Sequence, residues 1–97
     1  MRTLEEIELT IRQLRDELHE KYGVTEIGVF GSYVKGKQRE NSDVDILVTF
    51  ERPVSLLTFS EIGHFLEDML GIKVDLVMKK TLKPHIGRHI LEEVQYV

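Results

Sequence analysis

The sequence predicts a small α/β fold, with a mixed sheet of about three to four strands covered by helices. Two observations predict it. Apolar residues recur at helical spacing in three long segments, and shorter apolar segments rich in β-branched residues lie between those segments. The alternation of the two patterns along 97 residues is typical of one α/β domain, spanning residues 1–97.

The first helix is predicted to begin after Thr3 and to end near Tyr22. Thr3 is a suitable N-cap, Glu6 stands three residues later in the capping-box position, and Gly23 follows as a stop signal. One apolar stripe runs along this segment, made of Leu4, Ile7, Ile11, Leu14 and Leu18.

Two further helices are predicted in the second half of the chain. One runs from Ser55 or Leu56 to Leu70 and stops at Gly71, and the last begins at Pro84, a residue suited to a first helical turn. The residues expected to face the core are Leu56, Phe59, Ile62, Phe65, Leu66, Met69 and Leu70 in the former, and Ile86, Ile90, Leu91 and Val94 in the latter.

Three strands are predicted, at residues 27–30, 43–50 and 73–78. Each is a short apolar segment with β-branched residues, and turn-forming residues or a helix stop separate it from its neighbours. Gly31 and Ser32 follow the first strand and lead into a short helical turn over residues 33–35. A polar segment over residues 35–42 then precedes the second strand.

Composition excludes several classes of protein. Thirteen Lys and Arg against seventeen Asp and Glu give a net charge of −4, which argues against a domain that coats nucleic-acid backbone. The absence of cysteine excludes disulfides and thiolate zinc sites. The polar start at residues 1–6 has no signal-peptide core, and the apolar segments are too short to span a membrane. We therefore expect a cytoplasmic protein.

Gly31 and Ser32 form a candidate phosphate-binding loop. A glycine after a strand lets a ligand approach the backbone closely, and the N–H groups that open the next turn are free to bind an anion. The pattern is weak by itself, because strands followed by Gly-Ser and a turn are common. Lys35, Lys37 and Arg39 could steady a phosphate, although a charged loop is more often simply solvated.

Asp43 and Asp45 begin the second strand and point to the same face, because strand side chains alternate. Their mutual repulsion would be relieved by a divalent cation, and Mg²⁺ prefers carboxylate oxygens. A solvated strand start is the alternative. Asp75 is a single acid in the third strand, where it either lies at a sheet edge in water or faces a cation or a proton-transfer task. If the third strand neighbours the second, Asp75 lies beside Asp43 and Asp45.

Together these residues resemble the minimal nucleotidyltransferase domains of the DNA polymerase beta-type superfamily. The resemblance is carried by segments 29–36, 42–48 and 71–77, with Gly31-Ser32, the Asp43-x-Asp45 pair and the later Asp75, and by the closing segments 82–84 and 90–94. It covers nearly the whole chain. Position 35 departs from the family pattern, because Lys35 stands where an arginine is frequent and lacks its bidentate fork.

The resemblance implies the nucleotidyltransferase fold, with the first two strands antiparallel, and a Mg²⁺-dependent enzyme that uses ATP. Gly31, Ser32 and Lys35 would bind the triphosphate. Asp43, Asp45 and Asp75 would be both the metal ligands and the catalytic residues, with Asp75 accepting the proton of the attacking hydroxyl. Minimal domains of this kind resemble antitoxins that transfer AMP to a tyrosine of a HEPN-family toxin, which would be the partner.

Two alternatives stay open at this stage. The chain could be an antitoxin that acts by stoichiometric binding and has a vestigial nucleotide site, or a transferase that acts on a small molecule. A purely structural protein would not need Asp75 within a strand. His85 and His89 have a metal-ligand spacing on the last helix, but they lack a third ligand nearby and are interpreted as surface residues.

Overall fold

A computed structural model describes residues 2–97, and Met1, the first residue of the polar start, lies outside the described residues. The elements are α1 (Leu4–Tyr22), β1 (Val24–Phe30), α2 (Ser32–Lys35), β2 (Val44–Phe50), α3 (Leu56–Leu70), β3 (Val74–Met78), a 3-10 turn (Lys79–Thr81), α4 (Pro84–Glu93) and β4 (Gln95–Tyr96). The predicted mixed α/β fold is confirmed. Among the described residues, no helix combines the length and apolarity needed to cross a membrane.

The four strands form one sheet in the order β3-β2-β1-β4. β1 is antiparallel to β2 and to β4, whereas β2 and β3 are parallel. The end of β1 therefore lies beside the start of β2, and the start of β3 lies on the other side of β2. This order brings together, at one end of the sheet, the segments that carry Gly31, Asp45 and Asp75.

The helix ends follow the predicted signals. The Thr3 hydroxyl accepts the Glu6 N–H at 3.2 Å, and the Ser55 hydroxyl accepts the Thr58 N–H at 3.1 Å. The Gly23 N–H donates to the carbonyl of His19 at 2.9 Å where α1 ends.

The main core lies between one face of the sheet and helices α1 and α3. Its fully buried members include Ile7, Ile11 and Leu18 of α1, Val29, Val44, Ile46 and Val48 of the sheet, and Ile62, Leu66 and Leu70 of α3. Asp43, Asp45 and Asp75 alternate with these core positions. Their side chains therefore belong to the opposite face of the sheet.

Several predicted core positions are wrong. Leu56 is 87% exposed, and Met69, Ile86 and Leu91 are also exposed. Leu56 is the first residue of α3 and lies at its free end. In α4 the buried face is centred on Gly87, against Leu82, and not on the larger apolar residues beside it.

The element boundaries also differ from the prediction: α2, β2 and β3 begin one residue away from the predicted starts, and α4 ends before Val94. β1 begins at Val24, three residues before the predicted start, and the two-residue strand β4 was not predicted. Val97 N–H donates to the Ile27 carbonyl at 2.9 Å, so the chain end continues the pairing of β4 with β1. A two-residue strand is too short to have a recognisable alternation.

Candidate active site

Asp45 and Asp75 lie side by side at the start of two parallel strands. They are register partners in the β2–β3 pair. Side chains of partners in adjacent strands point to the same face, so both carboxylates occupy the face away from the main core. The sequence predicts that a neighbouring third strand sets Asp75 beside both Asp43 and Asp45, and the structure shows this for Asp45.

Backbone and side-chain hydrogen bonds hold this pair of strands in register. The Val44 N–H donates to the Lys73 carbonyl at 2.9 Å. The Val74 N–H donates to the Glu67 carboxylate of α3 at 3.0 Å. Because these bonds flank the two aspartates, the start of β3 is fixed to both β2 and α3.

Gly31 places the loop after β1 directly against Asp45. Phe30, the last residue of β1, is the register partner of Asp45. Gly31 has φ +79° and ψ −148°, and a Cβ at this position would collide with the Asp45 carboxylate. This combination of dihedral angles is accessible essentially to glycine alone, so the contact with Asp45 requires Gly31.

The surroundings of the Asp45 carboxyl group disfavour its ionised form. Burial, followed by the neighbouring carboxylates of Asp75, Asp43 and Glu93, raises its pKa from the ordinary value of 3.8 to about 6. The hydrogen bond with Asp75 also favours the protonated form. A half-buried aspartate surrounded by three other acids is a position where a cation would stabilise the ionised form.

Asp43 stands just before β2 and is exposed. It is close enough to act on Asp45 through its charge. Within residues 2–97, however, no three acidic, histidine or cysteine side chains converge closely enough to hold a metal ion as they stand. The predicted cluster of three converging carboxylates is therefore not formed by these side chains, although their oxygens are the ligands that Mg²⁺ prefers.

Glu93, the last residue of α4, is a site residue that the sequence analysis missed. Its Oε1 accepts the Gly31 N–H at 3.3 Å, and its Oε2 lies 3.4 Å from Lys35 Nζ. One signal in the sequence pointed to it. A glutamate in the last turn of a helix opposes the helix dipole, so its placement there needs another reason.

The remaining candidates lie outside this cluster. Lys37 and Arg39 are exposed in the loop after α2. His85 and His89 are exposed on α4, with ring centroids 5.6 Å apart in an edge-to-face arrangement. Their interpretation as surface residues agrees with this exposure. A cleft of about 430 Å³ lies next to Asp43 and is lined by residues 40–43 and 71–73.

Comparison with known proteins defines the class of this fold and site. The sequence matches the family described as nucleotidyltransferase domain over residues 11–97. The chain therefore belongs to the nucleotidyltransferase domain family and is an enzyme of that class. Both the predicted family and the predicted enzyme class are confirmed.

Particular relatives refine this class. The chain is 57% identical, over 97 residues, to the protein adenylyltransferase MntA of Thermococcus cleftensis, covering 100% of this chain and 98% of the relative. A solved minimal nucleotidyltransferase has a TM-score of 0.80 and 34% identity, with 97% of this chain and 95% of that chain covered. A toxin–antitoxin complex with AMP-PNP has a TM-score of 0.76 and 28% identity, with 92% and 70% covered. These relatives agree with the protein adenylyltransferase function that the sequence predicts.

Proposed function

We propose that this enzyme transfers AMP from ATP, with Mg²⁺, to a hydroxyl of a partner protein. The acceptor is a tyrosine of a HEPN-family toxin, and the enzyme acts as its antitoxin in the cytoplasm. The observation that carries the proposal is the contact of Asp45 with Gly31 on one side and with Asp75 on the other. This contact places the proposed metal-binding carboxylates next to the backbone of the proposed phosphate-binding loop.

Gly31, Ser32 and Lys35 are proposed to bind the triphosphate. Gly31 has no side chain and so allows close approach, Ser32 contributes its hydroxyl and Lys35 its positive charge. Asp43, Asp45 and Asp75 are proposed to hold Mg²⁺, which when bound offsets the charge of the triphosphate and of the leaving pyrophosphate. The raised pKa of Asp45 supports this assignment, because a cation would stabilise the ionised carboxylate that burial and the neighbouring acids disfavour.

The reaction is a phosphoryl-type transfer in which the protein orients the groups that react. The acceptor oxygen bonds to the α-phosphorus of ATP, and the bond from that phosphorus to the bridging oxygen of pyrophosphate breaks. Asp75 is proposed to accept the hydroxyl proton. It lies at an exposed position on the edge strand β3, where an acceptor from another molecule can reach it.

A protein acceptor is favoured over a small molecule. The cleft beside Asp43 is open and formed by two short loops. The relative at 57% identity is named a protein adenylyltransferase, and the neighbour at 28% identity is a toxin–antitoxin complex. Both support a protein partner that brings its own hydroxyl to the site.

The direct test uses ATP labelled at the α-phosphate, Mg²⁺ and a HEPN-family protein as the proposed partner. We expect label on a tyrosine of the partner with the wild type. Asp45→Asn should lower the rate by about 100-fold or more, as expected for loss of an electrostatic contact in a transition state. Asp68→Asn, an exposed aspartate on α3, is the matched control and should retain the wild-type rate.

Two results would contradict the proposal. No label on the partner with the wild type would exclude transfer to that protein. If Asp45→Asn still neutralises the toxin fully, stoichiometric binding explains the antitoxin activity and catalysis does not.

A further inference from the structure

Glu93 connects the last helix to the phosphate loop through two separate contacts. One carboxylate oxygen accepts the backbone N–H of Gly31 at 3.3 Å, and the other lies 3.4 Å from the ammonium group of Lys35. The first contact fixes a backbone group at the start of the loop. The second fixes the charged end of a side chain one helical turn further on.

The surroundings of Glu93 show that the contacts are local and specific. Its side chain is 21% exposed, whereas that of Lys35 is 55% exposed. Glu92, the preceding residue on the same helix, is exposed and differs in direction by about 100° around the helix axis. Only the second of these two adjacent glutamates therefore reaches the loop.

The sheet sets Glu93 on the phosphate side of the site. Across the strand order β3-β2-β1-β4, the groups stand in the order Asp75, Asp45, Gly31 and Glu93. Glu93 and Asp75 therefore flank Asp45 from opposite sides. Glu93 acts on the loop that follows β1, and Asp75 lies on the strand that offers the acceptor edge.

We propose that Glu93 is a positioning residue for nucleotide binding. It fixes the Gly31 peptide and the Lys35 ammonium, so that both groups are already in place when the triphosphate arrives. This inference rests on the proposed nucleotide site. Lys35 has a flexible side chain without the rigid, bidentate guanidinium group of an arginine. The Glu93 carboxylate restricts the position of its ammonium group.

The first measurement needs no nucleotide. Glu93→Ala should make the Gly31 amide proton exchange faster with solvent and move its NMR resonance, because its acceptor is lost. Glu93→Gln should largely preserve that bond, since the amide oxygen still accepts a hydrogen bond. Glu92→Gln is the matched control and should leave the Gly31 resonance in place. An unchanged Gly31 amide in Glu93→Ala would overturn the proposal.

The second measurement is the affinity for AMP-PNP with Mg²⁺ by calorimetry. Glu93→Gln should weaken binding about fivefold through loss of the charged partner, and Glu92→Gln should not. In a Lys35→Met background, Glu93→Gln should have no further effect, which a merely structural role would not produce. Thermal melting of each variant shows that the fold is retained.

The remaining outcomes are decisive in different ways. Unchanged or tighter binding by Glu93→Gln, with a wild type that binds, overturns the positioning role alone; tighter binding means that Glu93 competes with the phosphates. Weaker binding by Glu93→Gln that persists in the Lys35→Met background also overturns it. A wild type that binds no AMP-PNP overturns the proposed function as well.

Discussion

At the scale of single residues, the site depends on one glycine more than on any charged side chain. Gly31 adopts dihedral angles that are accessible essentially to glycine alone. It also lies in direct contact with the Asp45 carboxylate. The same residue offers its N–H to Glu93. A side chain at this position would strain the backbone and displace Asp45 at once.

We therefore expect Gly31→Ala to abolish transfer and to lower the melting temperature by about 10 °C or more, from a loss of about 2–3 kcal/mol. Gly36→Ala is the matched control. Gly36 also has a positive φ, of +71°, but nothing lies within 4 Å of a Cβ there. It should lose only about 1 kcal/mol and keep most of its activity. Circular-dichroism melting and the labelled-ATP assay measure both effects, and equal losses in the two variants would contradict this account.

Most site residues could be found from the sequence because their signal is local. Gly31-Ser32 and Asp43-x-Asp45 each stand at a strand end within a few residues, and strand alternation alone sets the two aspartates on one face. Glu93 could not be found in this way. It reaches Gly31 only because β4 pairs with β1, and neither the two-residue strand nor its partner is visible in the periodicity.

At the scale of elements, the errors in the predicted core have the same origin. The apolar residues of α4 are compatible with two adjacent helix faces, one through Ile86 and one through Gly87. The sequence favours the larger side chain, whereas the structure buries Gly87 because Leu82 packs on it. Hydrophobic periodicity predicts that an amphipathic helix forms. Which side of that helix is buried depends on the segment that packs against it.

The junction of α4 and β4 is an element-scale target that leaves the catalytic side chains untouched. Gly28 of β1 lies beneath this junction, and a Cβ there would be 2.8 Å from Val94 Cγ2 and 2.9 Å from the Gln95 carbonyl oxygen. Gly28→Ala should push β4 off the sheet and loosen the hold of Glu93 on Gly31. We expect a loss of about 1–3 kcal/mol, as in other overpacked sites.

Gly28→Ala should also weaken the binding of AMP-PNP, as Glu93→Gln is expected to do. Gly63→Ala is the control, because Gly63 is within α3 and nothing lies within 4 Å of a Cβ there. It should stabilise the protein by about 0.5–1 kcal/mol through helix propensity and leave binding unchanged. Melting curves and calorimetry compare the two, and normal nucleotide binding by Gly28→Ala would contradict the link from β4 to the loop.

At the scale of the whole molecule, the site holds more negative charge than the fold can neutralise. The chain has a net charge of −4, and three other acids lie around Asp45, while Lys35 is the one cation paired with Glu93 among residues 2–97. The net charge argues against a general nucleic-acid binder, but it does not reveal this concentration of acids, because they come from three separate parts of the chain. Folding without a cation therefore carries an electrostatic cost located at Asp45.

This cost predicts how stability depends on pH. The pKa of Asp45 is raised from 3.8 to about 6 in the folded protein, so the folded state binds this proton more tightly than the unfolded state. The resulting stabilisation is fully present below pH 3.8 and is lost as the pH rises through about 6. In Asp45→Asn the neutral amide removes this dependence. Its melting temperature should therefore exceed that of the wild type increasingly between pH 4 and pH 7.

Because Asp45 is half-exposed and solvent screens its charge, we expect a difference of only about 1 kcal/mol at pH 8 in EDTA, which corresponds to roughly 4–8 °C. Mg²⁺ should raise the melting temperature of the wild type at pH 8 and have much less effect on Asp45→Asn, because the ion stabilises the ionised carboxylates only in the folded state. Asp68→Asn should follow the wild type in both respects. Equal responses of wild type and Asp45→Asn to Mg²⁺ would show that the ion binds elsewhere or not at all.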